Sequence, residues 1–109
     1  MNGVTLVRIE GNLQWKYLRA KTGEWVAVCD AMRLTVEANT FSELMEDINL
    51  TLDAVFRDLL TSHELDRFLN EHGWKAVGMI PQDPNNVKFD MPFFTAMMGS
   101  RDASEHLHQ

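Results

Sequence analysis

The sequence predicts an α+β fold, and two hydrophobic periodicities lead to this class. Up to Ala38, apolar and polar residues alternate over several short segments, which is the pattern of half-buried strands. From Thr40 onward the apolar residues recur three and four positions apart, as they do on one face of a helix. We therefore expect a small antiparallel sheet with one long helix packed on it, followed by a short second helix and C-terminal strands.

The first two strands are predicted on either side of a turn. Residues 4–9 are rich in β-branched side chains, which favour strands. Residues 13–17 alternate between apolar and polar side chains. Gly11-Asn12 lies between the two segments and fits a tight two-residue turn, so we expect these strands to pair as a hairpin.

The next two strands follow a turn signal at Thr22-Gly23. Residues 25–29 are apolar on both faces, which predicts a central strand that is covered on part of each side. Residues 30–33 form a short connection, and residues 34–38 alternate again as a half-buried strand.

The long helix is predicted over residues 41–60. Thr40 and Glu43 match a capping box, in which each side chain satisfies a backbone N–H of the first turn. Behind this start, a broad apolar face is formed by Phe41, Leu44, Met45, Ile48, Leu52, Val55, Phe56, Leu59 and Leu60. The acidic residues fall mostly on the other side of the helix, and they are Glu43, Glu46, Asp47 and Asp53.

The rest of the chain is less regular. A second helix is predicted from Ser62, and Gly73 marks its end because glycine commonly follows the last helical residue. Beyond it the composition predicts a strand within residues 74–80, a loop over residues 81–86 and a strand over residues 87–91. We expect residues 1–98 to form one domain and residues 99–109 to form a flexible tail.

Composition and charge narrow the classes of function. A chain of 109 residues with 45% hydrophobic residues and one cysteine fits a single intracellular domain. It shows neither a secretory signal nor an apolar run long enough to cross a bilayer, so we expect a cytoplasmic protein without a membrane partner. The net charge of −6 is a poor match for nucleic acid and suits a basic protein partner, unless the charge serves solubility alone.

No catalytic residue, metal ligand or cofactor is expected. Cys29 sits in an apolar strand, where burial keeps a thiol unreactive, and the four histidines show no compact metal-ligand spacing. Phosphate-binding and nucleophile-elbow motifs are absent from the sequence. A small basic cluster next to two aromatic residues is a weak signal for single-stranded nucleic acid, and its members are Lys16, Arg19, Lys21, Arg33, Trp15 and Tyr17.

Two segments are candidates for a partner-binding surface. The acidic side of the long helix also carries Leu50, and the alternative is a face that is only solvated. The apolar segment 91–98 either forms an exposed patch or closes the domain's own core. The predicted partner-binding residues are Glu43, Glu46, Asp47, Leu50, Asp53, Phe93 and Phe94.

One segment resembles a known family. Residues 23–44 read GEWVAVCDAMRLTVEANTFSEL, a glycine-led strand, a short turn, a second strand and a helix start. This order is similar to that of the HicB-like antitoxins, with Thr40 and Glu43 at the family's helix-start positions. The resemblance extends over roughly residues 13–62.

The resemblance implies a partial ribonuclease H-like fold, in which a three-stranded sheet carries a helix. It also implies a function: such proteins neutralise a small, basic, mRNA-cleaving toxin called HicA by covering its active surface, and they often form dimers or tetramers. Many of them carry a C-terminal DNA-binding domain, which the chain after Gly73 is too short to hold in an obvious form. The open alternative is a stand-alone homo-oligomeric regulatory or ligand-binding domain without a toxin partner. A hydrolase or nuclease is a third alternative that we do not expect.

Overall fold

The computed structural model describes residues 3–80 and 83–97. Within these ranges the predicted α+β class is confirmed, including the long helix, the short second helix and the C-terminal strands. The strands are β1 (Thr5–Glu10), β2 (Gln14–Arg19), β3 (Trp25–Cys29), β4 (Leu34–Ala38), β5 (Lys75–Val77), β6 (Val87–Asp90) and β7 (Phe94–Met97). The helices are α1 (Phe41–Thr61) and α2 (Leu65–His72), and a short 3-10 helix spans Pro84–Asn86.

The chain folds into two compact units. The first unit contains Met1–Asn12 and Ile48–Pro92, and the second contains Leu13–Asp47 and the chain from Phe93. Over the described residues each unit has one sheet, and α1 includes residues of both units. The expectation of one domain over residues 1–98 stays a prediction, and the predicted tail lies outside the described residues.

The second unit holds a four-stranded sheet in the order β4-β3-β2-β7. Strands β2, β3 and β4 are antiparallel neighbours, whereas β7 runs parallel to β2. Strand β3 is therefore an inner strand, as predicted. One face of the sheet is buried through alternate residues, which are Trp15, Ala27, Cys29 and Val36.

The first unit holds a three-stranded sheet in the order β5-β1-β6. Strand β1 is antiparallel to β5 and parallel to β6. The predicted hairpin between β1 and β2 is wrong, because these strands belong to different sheets. Gly11 instead permits a close approach: a Cβ atom there would overlap the indole ring of Trp74 and lie 2.7 Å from its Nε1.

Aromatic side chains connect the helices and the sheet in the first unit. The ring of Phe56 on α1 lies 5.8 Å from Phe89 and 6.4 Å from Phe68 between centroids. The ring of His72 contacts both Phe68 and Trp74, at centroid distances of 4.2 and 4.5 Å, and these two rings lie 6.0 Å from each other. Buried rings therefore add to the aliphatic core of this unit, and they bury large areas in defined geometries.

Helix α1 agrees closely with its prediction over residues 41–60. The backbone N–H of Glu43 donates to Thr40 Oγ1 at 3.1 Å, so the threonine caps the helix start as expected. Leu44, Ile48 and Leu52 on the predicted apolar face are buried.

Helix α2 begins at Leu65 rather than at Ser62, because residues 62–64 complete the end of α1. The backbone N–H groups of Ser62 and Glu64 donate to carbonyls of α1 at 3.0 and 2.8 Å, and His63 has a positive φ of 63°. This geometry satisfies carbonyl groups that a helix end otherwise leaves unpaired. Gly73 ends α2 in the left-handed conformation, with φ of 73°, as predicted.

The C-terminal predictions hold in part. Strand β5 is shorter than the predicted range 74–80, whereas β6 confirms the strand predicted over 87–91. In the predicted loop, the Asp83 carboxylate accepts from the N–H of Asn85 at 2.9 Å and caps the 3-10 helix. Pro81 and Gln82 lie outside the described residues. None of the described helices has the length and apolar character needed to cross a membrane.

Candidate partner-binding surface

Three of the predicted acidic residues lie at the surface of α1. Glu43 and Glu46 are exposed, and Asp47 is half-buried. Within the described part of the chain, none of the three forms an ion pair. Their positions, separated by three and four residues, place them on neighbouring turns of one helix face. The result is a local negative potential that no basic side chain within the described residues neutralises by an ion pair.

Leu50 adds an apolar group to the same face of α1. It lies one helical turn after Asp47, and 57% of its surface is exposed. A single exposed leucine is common on protein surfaces. One that is bordered by carboxylates without an ion-pair partner in the described part of the chain, however, has the arrangement of an apolar anchor with a charged rim.

Asp53 does not belong to this exposed surface, and its predicted placement is wrong. It is only 8% exposed, and its Oδ1 accepts from the backbone N–H of Phe89 at 2.7 Å. Its Oδ2 accepts from Nη2 of Arg57, four residues later on α1. The sequence signal that points to this pairing is the Asp–Arg spacing of four residues.

Arg57 extends this arrangement to a second backbone group of β6. Its Nη2 also donates to the carbonyl of Val87 at 3.4 Å. Asp53 and Arg57 together therefore hold the backbone of β6 to α1 within the first unit. The Asp53 carboxylate is therefore engaged in the fold, whereas the Arg57 side chain is still 39% exposed.

The two phenylalanines of the C-terminal candidate differ in exposure. Phe93 is half-buried and packs edge-on against Trp15, with 6.5 Å between ring centroids. Phe94 is 67% exposed. The sequence left open whether this pair closes a core or faces a second chain. The structure packs Phe93 against Trp15 within the second unit and leaves Phe94 at the surface.

An aromatic cluster in the second unit was not predicted from the sequence. The ring of Phe41 lies 5.1 Å from Tyr17 and 5.3 Å from Trp25, and the Arg19 guanidinium lies 5.6 Å from the centre of Trp25. Trp15 is fully buried. Trp15 and Tyr17, the two aromatic residues beside the predicted basic cluster, are thus packed against neighbours within the second unit. Tyr17 and Trp25 come together because β2 pairs with β3, and this pairing is not specified by residues near either ring in the sequence.

The single cysteine lies inside the second unit. Cys29 is buried, and burial raises the pKa of its thiol.

The first unit has a shallow cleft of about 360 Å³, which Asp66 and Lys75 help to line. Among the described residues, no group of three or more His, Cys, Asp or Glu side chains could hold a metal ion.

The buried thiol is expected to react slowly. A disulfide reagent at neutral pH should label Cys29 in the folded chain at least about tenfold more slowly than in the chain unfolded by urea, since only the exposed thiolate attacks. Absorbance of the released thiol measures both rates. Equal rates would contradict the burial of Cys29.

The raised pKa also predicts a pH dependence of stability. The unfolded thiol ionises at a lower pH than the folded thiol, so the folded state binds more protons between the two pKa values. The free energy of unfolding should therefore fall as the pH rises through that window and be unaffected by this group below it. Cys29→Ala is the control, because it should remove this part of the alkaline slope.

The surface that these residues leave for a partner is the acidic helix face, which we define as Glu43, Glu46, Asp47 and Leu50. Comparisons with protein-family models, with curated proteins and with solved structures found no match to this chain. A role for this face therefore depends on its own geometry: an exposed leucine beside carboxylates without ion-pair partners among the described residues.

Proposed function

We propose that this chain is a cytoplasmic, antitoxin-like binding module that neutralises a small basic mRNA-cleaving toxin by masking its surface. The observation that supports the proposal is the acidic helix face. Its carboxylates have no ion-pair partner within the described residues, and its Leu50 is 57% exposed. A basic protein surface with an apolar pocket is the partner that complements this combination.

The charges and the leucine would contribute differently to binding. Exposed ion pairs stabilise a complex by only about 0–1 kcal/mol each, so the carboxylates act mainly by attracting and orienting a basic partner during encounter. Burial of Leu50 would supply lasting affinity, because truncating a well-buried anchor at an interface centre costs about 2 kcal/mol or more.

The strand order adds support to the HicB-like interpretation. Strands β2, β3 and β4 form an antiparallel series, and α1 follows directly after them. The resemblance in the sequence implies this succession of three strands and a helix. Within the second unit, Phe41 at the start of α1 packs on Tyr17 and Trp25 of the sheet.

The proposal is tested by co-expressing the chain with a neighbouring reading frame that encodes a short basic protein. We expect the neighbour to arrest growth alone, and we expect co-expression to restore growth and to yield a complex that co-purifies. A neighbour that is harmless alone and forms no complex would contradict the proposal. It would favour the stand-alone homo-oligomeric regulatory or ligand-binding domain, for which the cleft beside Asp66 and Lys75 is a candidate site.

Charge reversal tests the acidic helix face itself. The double variant Glu43→Lys and Glu46→Lys should lower the association rate with the toxin at low salt about tenfold or more and should flatten its salt dependence. The matched control is Glu64→Lys with Glu71→Lys, which reverses two exposed acidic residues near α2 and on it. Stopped-flow fluorescence measures the rates. A similar loss in both double variants would mean that net charge, and not this face, determines the encounter.

A further inference from the structure

The cleft of the first unit is formed by α2 and by the chain that follows it. Its volume of about 360 Å³ falls within the range of about 300–1,000 Å³ that is usual for small-ligand sites. Asp66, Leu69 and Asn70 line it from α2, and Lys75 and Ala76 line it from β5. All of these residues belong to one compact unit, so the cleft depends on the fold of that unit alone.

The apolar part of the cleft wall is held in place by its neighbours. Leu69 and Trp74 both line the cleft and are buried. The ring of Trp74 contacts His72, with 4.5 Å between the centroids. On another side, Gly11 lies so close to the ring that a Cβ atom there would overlap it. These contacts restrict the ring, so the apolar wall exists before a ligand binds.

Gly78 forms part of the cleft where β5 ends. Its φ is 103°, in a region that residues with a Cβ rarely adopt, so this course of the chain requires a glycine. Two residues later, Ile80 is half-buried and lines the cleft as well. The turn at Gly78 thus adds a further apolar residue to the wall.

Two exposed residues of opposite charge border the same cleft. Asp66 lies in the first turn of α2, and Lys75 is the first residue of β5. Within the described residues, neither forms an ion pair with the other or with a third residue. Asn70, one helical turn after Asp66, adds a side-chain amide that can donate and accept hydrogen bonds. The cleft therefore offers both signs of charge beside an apolar wall.

We propose that this cleft binds a small zwitterion with an apolar group, the chemical class of the free aliphatic amino acids. The ligand's ammonium group pairs with the Asp66 carboxylate, and its carboxylate pairs with the Lys75 ammonium group. Its apolar group contacts Leu69 and Trp74. A ligand with a single charge would leave either Asp66 or Lys75 without a partner, so the zwitterion is the better complement.

This site shares no residue with the acidic helix face, and the inference goes beyond the proposed toxin binding. Because the cleft is shallow and the ligand is small, we expect a dissociation constant in the millimolar range. Each of the two ion pairs is exposed and contributes little by itself. Ligand binding and toxin binding can therefore fail independently of each other.

Nuclear magnetic resonance titration of the full, ¹⁵N-labelled chain with leucine tests the inference. We expect saturable shifts of the Trp74 indole N–H and of the Asn70 side-chain amide. N-acetyl-leucine lacks the ammonium group and leucinamide lacks the carboxylate, so each should bind about threefold more weakly than leucine. Asp66→Asn should abolish the preference for leucine over N-acetyl-leucine, and Lys75→Gln should abolish the preference for leucine over leucinamide.

The matched controls are Glu71→Gln and Lys88→Gln, which change exposed charged residues on α2 and β6 that do not line the cleft. Both preferences should persist in these controls. Absence of any shift at Trp74 and Asn70 up to the solubility limit of leucine would overturn the proposal. Equal binding of leucine and its two analogues would also overturn it, because the charges of Asp66 and Lys75 would then not be read.

Discussion

Replacing Asp53 by alanine is expected to lower the free energy of unfolding by about 1–3 kcal/mol, the loss typical of leaving a buried donor without its acceptor. The variant removes the acceptor of the Phe89 N–H and the partner of Arg57. The guanidinium would keep the Val87 carbonyl at 3.4 Å, while its Nε is already buried without a hydrogen-bond partner. An uncompensated charge and an unpaired amide would therefore remain.

Urea unfolding monitored by tryptophan fluorescence measures this loss. Asp53→Asn should fall between wild type and Asp53→Ala, because the amide oxygen can still accept from Phe89 while the charge opposite Arg57 is lost. The matched control is Asp58→Ala, an exposed acidic residue of the same helix, for which we expect a change within about 0.5 kcal/mol. If Asp53→Ala is as stable as this control, the pairing described for Asp53 is wrong.

Replacing Gly11 by alanine is expected to destabilise the chain by about 1–3 kcal/mol, the usual effect of forcing an extra group into a packed site. The new Cβ would overlap the indole of Trp74, with its Cγ at 2.5 Å. Cγ lies at the root of the side chain, so the ring cannot turn away without leaving its own contacts. Trp74 is only 7% exposed and stacks on His72, so its displacement would disturb the aromatic core of the first unit.

A double-mutant cycle identifies the contact responsible. In a Trp74→Ala background, Gly11→Ala should lose most of its effect, with a coupling energy of about 1 kcal/mol or more. Gly3→Ala is the control, because a Cβ at Gly3 has no heavy atom within 4 Å. Additive effects of Gly11→Ala and Trp74→Ala would show that the glycine has another role, such as backbone freedom.

These two residues also bear on where a partner could bind. Asp53 was expected on the exposed acidic side of α1, yet its carboxylate holds the backbone of β6. A loss of toxin binding in Asp53→Ala would accordingly follow from lost stability. Glu43 and Glu46 are exposed and have no ion-pair partners among the described residues, so their variants test the surface with a smaller effect on stability than Asp53→Ala.

The elements that were predicted well depend on nearby residues. The Thr40 cap, the apolar stripe of α1 and the end of α2 at Gly73 are all decided within a few positions along the chain. The same holds for β2 and β4, whose alternation of polar and apolar residues predicted half-buried strands and the faces that carry the buried Trp15 and Val36. The late start of α2 is the exception, because Ser62 resembles a helix cap but completes the end of α1.

The amino-acid sequence by itself determined the class of the fold, its main elements and the buried side of α1, because helical and strand periodicities are local properties of the chain. Only the tertiary structure decided which strands pair, that β1 and β2 belong to separate sheets, and that Phe93 is half-buried while Phe94 is exposed. It alone showed that the Asp53 carboxylate accepts from a backbone N–H 36 residues away and that Gly11 lies against the ring of Trp74. Such contacts join segments that are distant in the chain, so neither periodicity nor turn chemistry near either residue specifies them.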